Sequence, residues 1–251
     1  MHQLIKIKKL GTKITPYQEK EGSKKEQVTK MFDSIAHSYD FLNHFLSLGI
    51  DIIWRKRAVK EIASVNPKQI LDIATGTGDL AIECARLNPD KIIGVDISNN
   101  MLNVGRTKIS KRGLDSLIDM QNGDSENLSF EDNKFDAITA GFGVRNFENL
   151  DKGLSELYRV LNNNGKIAIL EPSEPKRFPF KQVYLIYFNT LLPFLGKIFS
   201  KDSSAYTYLP NSVAAFPSGD KFVEKLTKAG FKDAKHTPLT FGIAALYTGT
   251  K

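Results

Sequence analysis

Ile70-Leu71-Asp72-Ile73-Ala74-Thr75-Gly76-Thr77-Gly78-Asp79 decides the fold. A short apolar run ends in a glycine-rich turn, and the turn opens into Asp79 to Leu87, whose apolar residues recur at helical spacing. Glycines at a strand's carboxyl end let the backbone approach a ligand and adopt positive φ, and doubly wound sheets bind their ligands at that end. Gly76 and Gly78, with Ala81 in the last place, also satisfy the dinucleotide pattern, so the turn by itself reads only as nucleotide-binding.

Downstream of this unit, strand and helix alternate. Lys91 to Asp96 reads as strand and Asn99 to Lys111 as helix; Leu117 to Asn122 and Phe135 to Ala140 read as strands, Leu150 to Val160 as helix, and Lys166 to Glu171 as strand. Such a rhythm with short connections predicts a mostly parallel sheet with helices on both faces. Ser218 is placed to cap a helix that ends at Gly230. Two closing strands follow, Phe231 to Leu239 and Ile243 to Thr250, joined by too few residues for a crossover, so the last strand runs antiparallel to its neighbour. The expected fold is α/β, a single doubly wound, seven-stranded sheet with an antiparallel last strand, and it resembles the Rossmann-like class I methyltransferases.

Upstream, apolar positions from Val28 to Val59 recur at helical spacing and predict helices before the first strand. Residues 1–24 are polar and Lys-rich, with Gly11, Pro16 and Gly22 breaking any period, and read as a mobile basic arm before a domain spanning 25–251. One stretch departs from the rhythm. Residues 178–216 are aromatic-rich and carry Pro179, Pro193 and Pro210, which predicts an inserted lid or substrate-binding segment.

The 251 residues, 41% hydrophobic and 25% charged, suit one globular core. Cys84 is the only cysteine, so neither an intramolecular disulfide nor a thiolate metal cluster can form, and a reducing, cytoplasmic setting is expected. The first ten residues lack the apolar core of an export signal, and the most apolar stretch, Val183 to Phe199, is broken by Asn189, Pro193 and Lys197. A net charge of +7 favours an anionic partner such as nucleic acid, a phospholipid surface or an acidic small molecule.

Three strand ends carry the chemistry. An acidic side chain at Asp72 suits the ammonium and sulfonium end of S-adenosyl-L-methionine and would repel a pyrophosphate; a loop-capping carboxylate is the structural alternative. Asp96 ends the second strand about twenty residues after the glycines, where its carboxylate can accept both ribose hydroxyls, while Ser98 is the better cap for the helix that follows. The third strand delivers Asp124 and Ser125 toward the adenine. Together these positions point to an adenosylmethionine site.

Three further motifs extend the reading: Tyr39–Trp54 (YDFLNHFLSLGIDIIW), Gly141–Asn146 (GFGVRN) and Arg159–Ser173 (RVLNNNGKIAILEPS). On these the chain resembles the ubiquinone/menaquinone biosynthesis C-methyltransferase family over roughly residues 26–250. It departs from the family pattern at Asp51, where histidine is usual, at Asn163-Asn164, where Pro-Gly or similar is usual, and at Gly141, where serine is common.

The resemblance places cofactor contacts on Thr77, Asp96, Asp124 and Ser125, alongside Gly76 and Gly78 of the turn. It implies metal-free methylation of a polyprenylated quinol ring, with demethylmenaquinol favoured over the benzoquinol of ubiquinone synthesis. Such chemistry needs a cation or base beside a ring hydroxyl. Arg145, after the fourth strand, is the expected cation and the catalytic candidate, and His37, Tyr39 and Asp40 are candidates for the opposing wall. Trp54 reads as a packing anchor and Cys84 as a small buried hydrophobe. Aromatic residues from Phe178 to Phe199, flanked by Lys176, Arg177, Lys181, Lys197 and Lys201, suit a prenylated substrate drawn from an anionic membrane. A lid packed on the core, or a subunit interface in a homodimer, suits them equally. A nucleic-acid methyltransferase is disfavoured because Ala140 to Arg145 holds no Asn/Asp-Pro-Pro-aromatic motif and no RNA-binding module is appended. A non-catalytic adenosylmethionine-binding protein is disfavoured by Arg145-Asn146 beside an intact cofactor motif.

Overall fold

Period-two alternation sorts each strand's apolar residues onto two faces, and two cores result. The computed structural model describes residues 14–17, 22–187, 190 and 204–251. The strands are β1 (Gln69–Ile73), β2 (Lys91–Asp96), β3 (Ile118–Asn122), β4 (Phe135–Gly141), β5 (Leu161–Pro172), β6 (Lys232–Leu239) and β7 (Ala244–Thr250). They form one sheet in the order β3-β2-β1-β4-β5-β7-β6. The first five are parallel to their neighbours, and β7 runs antiparallel between β5 and β6, as the short final connection requires. The sheet order reverses beside β1, which opens a crevice at the carboxyl ends of β1 and β4.

On one face Leu71, Ile93, Ile138, Ile169 and Tyr247 pack against α5 (Leu150–Val160) and α8 (Asp220–Lys228). On the other, Ile70, Ile92, Ala137, Ala168 and Leu246 pack against α2 (Ile50–Ile62), α3 (Asp79–Cys84) and α4 (Asn99–Ser110). Cys84 is fully buried in that second layer, as expected. The remaining helices are α1 (Lys24–Leu46), α6 (Phe180–Ile186) and α7 (Ser204–Ala215).

Local signals account for most boundaries. Ser23 and Glu26 form a reciprocal capping box at the start of α1, and Ser98 caps α4 by accepting from Met101 N–H. Gly230, at φ 111°, closes α8: its N–H donates to Thr227 and that of Phe231 to Leu226, the paired bonds of a Schellman motif. The other end of α8 differs from expectation. Gly219, not Ser218, occupies the cap, and its N–H donates to the Tyr247 hydroxyl at 2.8 Å, so a tertiary bond sets the start where a local side chain was expected. Strand β5 likewise begins five residues early, because Leu161 pairs with Phe135 before a register shift.

The described part of the N-terminal arm, residues 14–17 and 22–24, lies against α1. Ile14 and Tyr17 pack against Val28 and Met31 of α1, and Tyr17 N–H donates to Gln27. The other arm residues, 1–13 and 18–21, lie outside the described residues, as do Phe188, Phe194, Lys197, Phe199 and Lys201 of the aromatic segment.

Phe222 anchors the first core, fully buried and with its ring 4.7 Å from Tyr247 and 4.8 Å from Phe216. Phe222→Ala should cost about 3–5 kcal/mol in urea-induced unfolding, and a loss under 1 kcal/mol would show that α8 contributes little to this layer.

Candidate active site

The glycine turn is held from below and from the side. Backbone φ is positive at Ala74, Gly76 and Gly78, and Gly78 leads into α3. Thr75 donates its hydroxyl to Asp72 at 2.5 Å, and Thr139 donates to the other Asp72 oxygen at 2.7 Å. Asp72 is fully buried and does not face the crevice. Strand alternation puts it on the Ile70 face, under α3, so it braces the turn and is not the contact for a cationic cofactor expected from sequence. Burial pushes its carboxyl up to about 6 against the two hydroxyl bonds.

Asp96 does reach the crevice. Its carboxylate accepts from Gly76 N–H and from Ser98 N–H, both at 2.8 Å, and its carbonyl accepts from Gly123 N–H at 3.0 Å. One residue thereby ties together the loops after β1, β2 and β3. Burial pushes its pKa up to about 6 despite those N–H bonds.

Gly76, Asp96, Asp124 and Ser125 converge on one crevice, with Ile97 and Met101 adding apolar surface. Close approach explains a glycine on the far wall. A Cβ on Gly143 would sit 2.3 Å from that of Ala74, so only glycine lets the loop after β4 lie against the turn. A crevice lined by four carboxylates, Asp96, Asp124, Glu126 and Glu148, with an apolar flank and backbone exposed at glycines, fits an adenosyl group with a cationic tail. Thr77 and Gly78, also expected at the cofactor, shape the turn without lining the crevice. Thr77 instead donates to Asp40 at 2.5 Å and accepts from Lys108 at 3.1 Å.

Helix α1 roofs the crevice with Lys25, Val28, Phe32 and Tyr39. Lys25 Nζ meets Asp124 at 2.5 Å, and Lys24 Nζ donates to the carbonyls of Arg145 and Phe147. Burial, the largest single influence, raises Asp124, but the Lys25 bond, the Glu126 N–H and the charges of Lys25 and Lys152 together hold the carboxyl below its ordinary range.

Beyond this roof lies a cavity of about 400 Å³, built from α1, α2, α6, α7 and the segments after β4 and β6. Its wall is mostly apolar, and Phe32, Tyr39 and Phe142 line both spaces. Arg145 lines it too. Its guanidinium pairs with the fully buried Glu171 at 3.1 Å and donates to the Phe142 carbonyl, while Nε is buried with no partner among the described residues. Burial raises Glu171 even against this pairing. Arg145 is therefore both an ion-pair arginine and a cavity-wall cation.

Of the three residues expected opposite it, only Tyr39 lines the cavity. Desolvation raises the Tyr39 phenol above its ordinary range. His37 is exposed, and Asp40 is committed to Thr77 and Lys108, the latter at 2.5 Å. Trp54 is a packing anchor as expected, donating to Thr240 at 2.8 Å, and it also forms part of the wall.

Sequence reasoning missed Asp51 as a site residue. It is the one carboxylate among the described lining residues, held by the Ser47 hydroxyl at 2.6 Å and by Arg55 at 2.5 Å. His44 Nδ1 of α1 lies 2.8 Å from the same carboxylate. Asp51 was flagged as a departure from the family pattern, and that was the available signal.

Comparison with known proteins agrees with this geometry. The profile of the ubiE/COQ5 methyltransferase family matches residues 20–251. A demethylmenaquinone methyltransferase of Bacteroides fragilis is 53% identical over 95% of this chain and 98% of its own length. A ubiquinone/menaquinone biosynthesis C-methyltransferase of Geotalea daltonii is 46% identical over 91% and 97%. Among solved structures, a SAM-dependent methyltransferase of Thermotoga maritima superposes with a TM-score of 0.60 at 20% identity, covering 88% of this chain and 99% of that one, and shares the fold. The chain belongs to the ubiE/COQ5 methyltransferase family and is an S-adenosylmethionine-dependent methyltransferase.

Proposed function

We propose that the protein methylates a ring carbon of demethylmenaquinol, giving menaquinol, and that it acts from the cytoplasm on a substrate resident in the membrane. The apolar cavity of about 400 Å³ carries this reading, because it shares a wall with the cofactor crevice and holds Arg145 on an otherwise mostly apolar lining, the other charged lining residues being the paired Asp51 and Arg55. A naphthoquinol with a prenyl tail needs an apolar enclosure and polar partners only for its hydroxyls. Relatives named demethylmenaquinone methyltransferase, at 53% and 44% identity, support the same choice. Among the described residues no helix is long and apolar enough to cross a membrane.

When bound, S-adenosylmethionine supplies an electrophilic methyl group on a sulfonium. Asp96 accepts from the ribose hydroxyls, and Asp124 and Ser125 receive the adenine edge. Phe32, Tyr39 and Phe142 form the boundary at which ring and methyl group are brought together, which lowers the entropic part of the barrier. Arg145 stays protonated, so it cannot accept a proton. Its charge instead favours the phenolate that makes the ring carbon nucleophilic, and a cation placed there makes a weak base sufficient. Asp51 is the one carboxylate on the described wall that can take the hydroxyl proton; against burial, Ser47, Arg55 and His44 hold its carboxyl below the ordinary range, so it acts as a weak base, with His44, 39% exposed, between it and solvent. After the carbon–methyl bond forms, the displaced ring hydrogen leaves as a proton to water and the oxygen takes back the proton held by Asp51, so the aromatic quinol is restored with one net proton released.

With reduced short-chain quinols and labelled adenosylmethionine, label should enter the naphthoquinol; label confined to a benzoquinol analogue would reassign the substrate. Arg145→Lys keeps a charge beside Glu171 but loses the planar fork, so kcat should fall on the order of 100-fold with adenosylhomocysteine affinity unchanged, measured by steady-state kinetics and calorimetry. Calorimetry should also show adenosylhomocysteine binding weakening as pH falls through 6, approaching tenfold per unit, because a protonated Asp96 loses acceptor capacity. The free protein moves the other way. A carboxyl whose folded pKa is raised binds its proton more tightly when folded, so the Asp96 contribution to stability improves as pH falls from about 6 toward 4. Asp96→Asn should abolish the pH dependence of binding; its persistence would place the titrating group elsewhere.

A further inference from the structure

Large exposed apolar side chains gather at the mouth of the quinol cavity. One lip is the corner between α1 and α2, where Leu48 is 84% and Ile53 64% exposed and Ile52 stands beside them. The other lip is Phe178, 80% exposed, with Val183 and Ile186 of α6. Phe241, itself exposed, stacks on Phe180 at 3.9 Å, and the Trp54–Thr240 hydrogen bond joins the two lips beneath. Leu48 and Val183 also line the cavity, so the apolar rim and the cavity mouth are one feature.

Single exposed apolar residues are ordinary on a soluble protein, but a contiguous set around an opening is not. Its surroundings are basic. Lys176 and Arg177 are exposed directly before Phe178, Lys56 is exposed after Ile52 and Ile53, and Lys181 lies half-exposed on α6, 3.7 Å from Glu174. The whole chain carries +7. A basic rim around an apolar mouth would meet its own charge in a symmetric dimer, whereas an anionic lipid surface complements both features.

We infer that this mouth docks on an anionic phospholipid bilayer, with Ile52, Ile53 and Phe178 at the boundary of headgroups and acyl chains. The cavity then opens into the membrane, and a prenyl tail passes between the lips without crossing water. Apolar burial supplies the depth and the basic residues supply lipid selectivity. The inference rests on the quinol reading only for its purpose; docking itself is measured without any quinol.

The full chain is sedimented with phosphatidylcholine vesicles and with vesicles containing 30% phosphatidylglycerol, roughly the anionic fraction at which basic surfaces bind well. The native protein should partition to the anionic vesicles. The double variant Ile53→Ser/Phe178→Ser should lose at least about tenfold in partitioning, and Lys176→Gln/Arg177→Gln about fivefold per charge removed at low salt. Both variants should keep native turnover on a water-soluble short-chain quinol, which also reports that they are folded, and lose turnover on a vesicle-borne long-chain one. Absence of native binding to anionic vesicles, or equal binding by native and variant chains, would overturn the docking inference. Short-chain methylation without vesicle binding would leave the quinol reading intact, and vesicle binding without methylation of any quinol would leave docking intact.

Discussion

A buried carboxylate with too few partners is costly, and Asp96 is where this fold accepts that cost. Raising its pKa from 3.8 to about 6 corresponds to roughly 3 kcal/mol of disfavoured charge. Two backbone N–H groups, from Gly76 and Ser98, stabilise the ionised form and in doing so fix where the glycine turn and α4 begin. The carbonyl of the same residue takes Gly123 N–H and the Asn122 side chain. Three loops thus hang on one strand end, and a ligand with two adjacent hydroxyls would satisfy what burial leaves unmet.

The second constraint is the roof. Helix α1 carries its own capping box, but its position comes from Lys24 and Lys25, which reach carbonyls after β4 and the carboxylate after β3. This placement makes Phe32 and Tyr39 walls of two spaces at once. At its other end α1 turns into α2 through Leu48 and Gly49, both at positive φ, and the reversal brings His44 against Asp51. An electrostatic chain continues through Arg55, Asp79 and Lys108 to Asp40 and Thr77, linking the quinol-side wall to the glycine turn.

Sequence carried the sheet because β1, β2, β4 and β7 are apolar runs between clear turn signals, and it carried Gly76, Asp96, Asp124 and Ser125 because strand ends are local features. Asp72 shares the face of Ile70, under α3, and because both faces of β1 are covered its burial between Thr75 and Thr139 could not be read from alternation alone. Ser218 lost its expected role to a bond between Gly219 and Tyr247, twenty-eight residues on. The cavity was legible only in part, through Tyr39, Arg145 and the 178–216 segment, since its wall combines residues from Met31 to Ile243 and no spacing rule joins them. Arg145 was identified, yet its pairing with Glu171 is invisible until β5 lies beside β4.

The central claim is that transfer takes place at the boundary formed by Phe32, Tyr39 and Phe142, with the cofactor on the Asp96 side and the quinol on the Arg145 side. A crystal structure of the protein with adenosylhomocysteine and a prenylated naphthoquinone tests it most directly. The sulfur should face the quinone ring directly, with those three side chains flanking the contact, the ribose on Asp96 and a ring oxygen at Arg145. A quinone bound outside the cavity, or a sulfur turned away from it, would contradict the account.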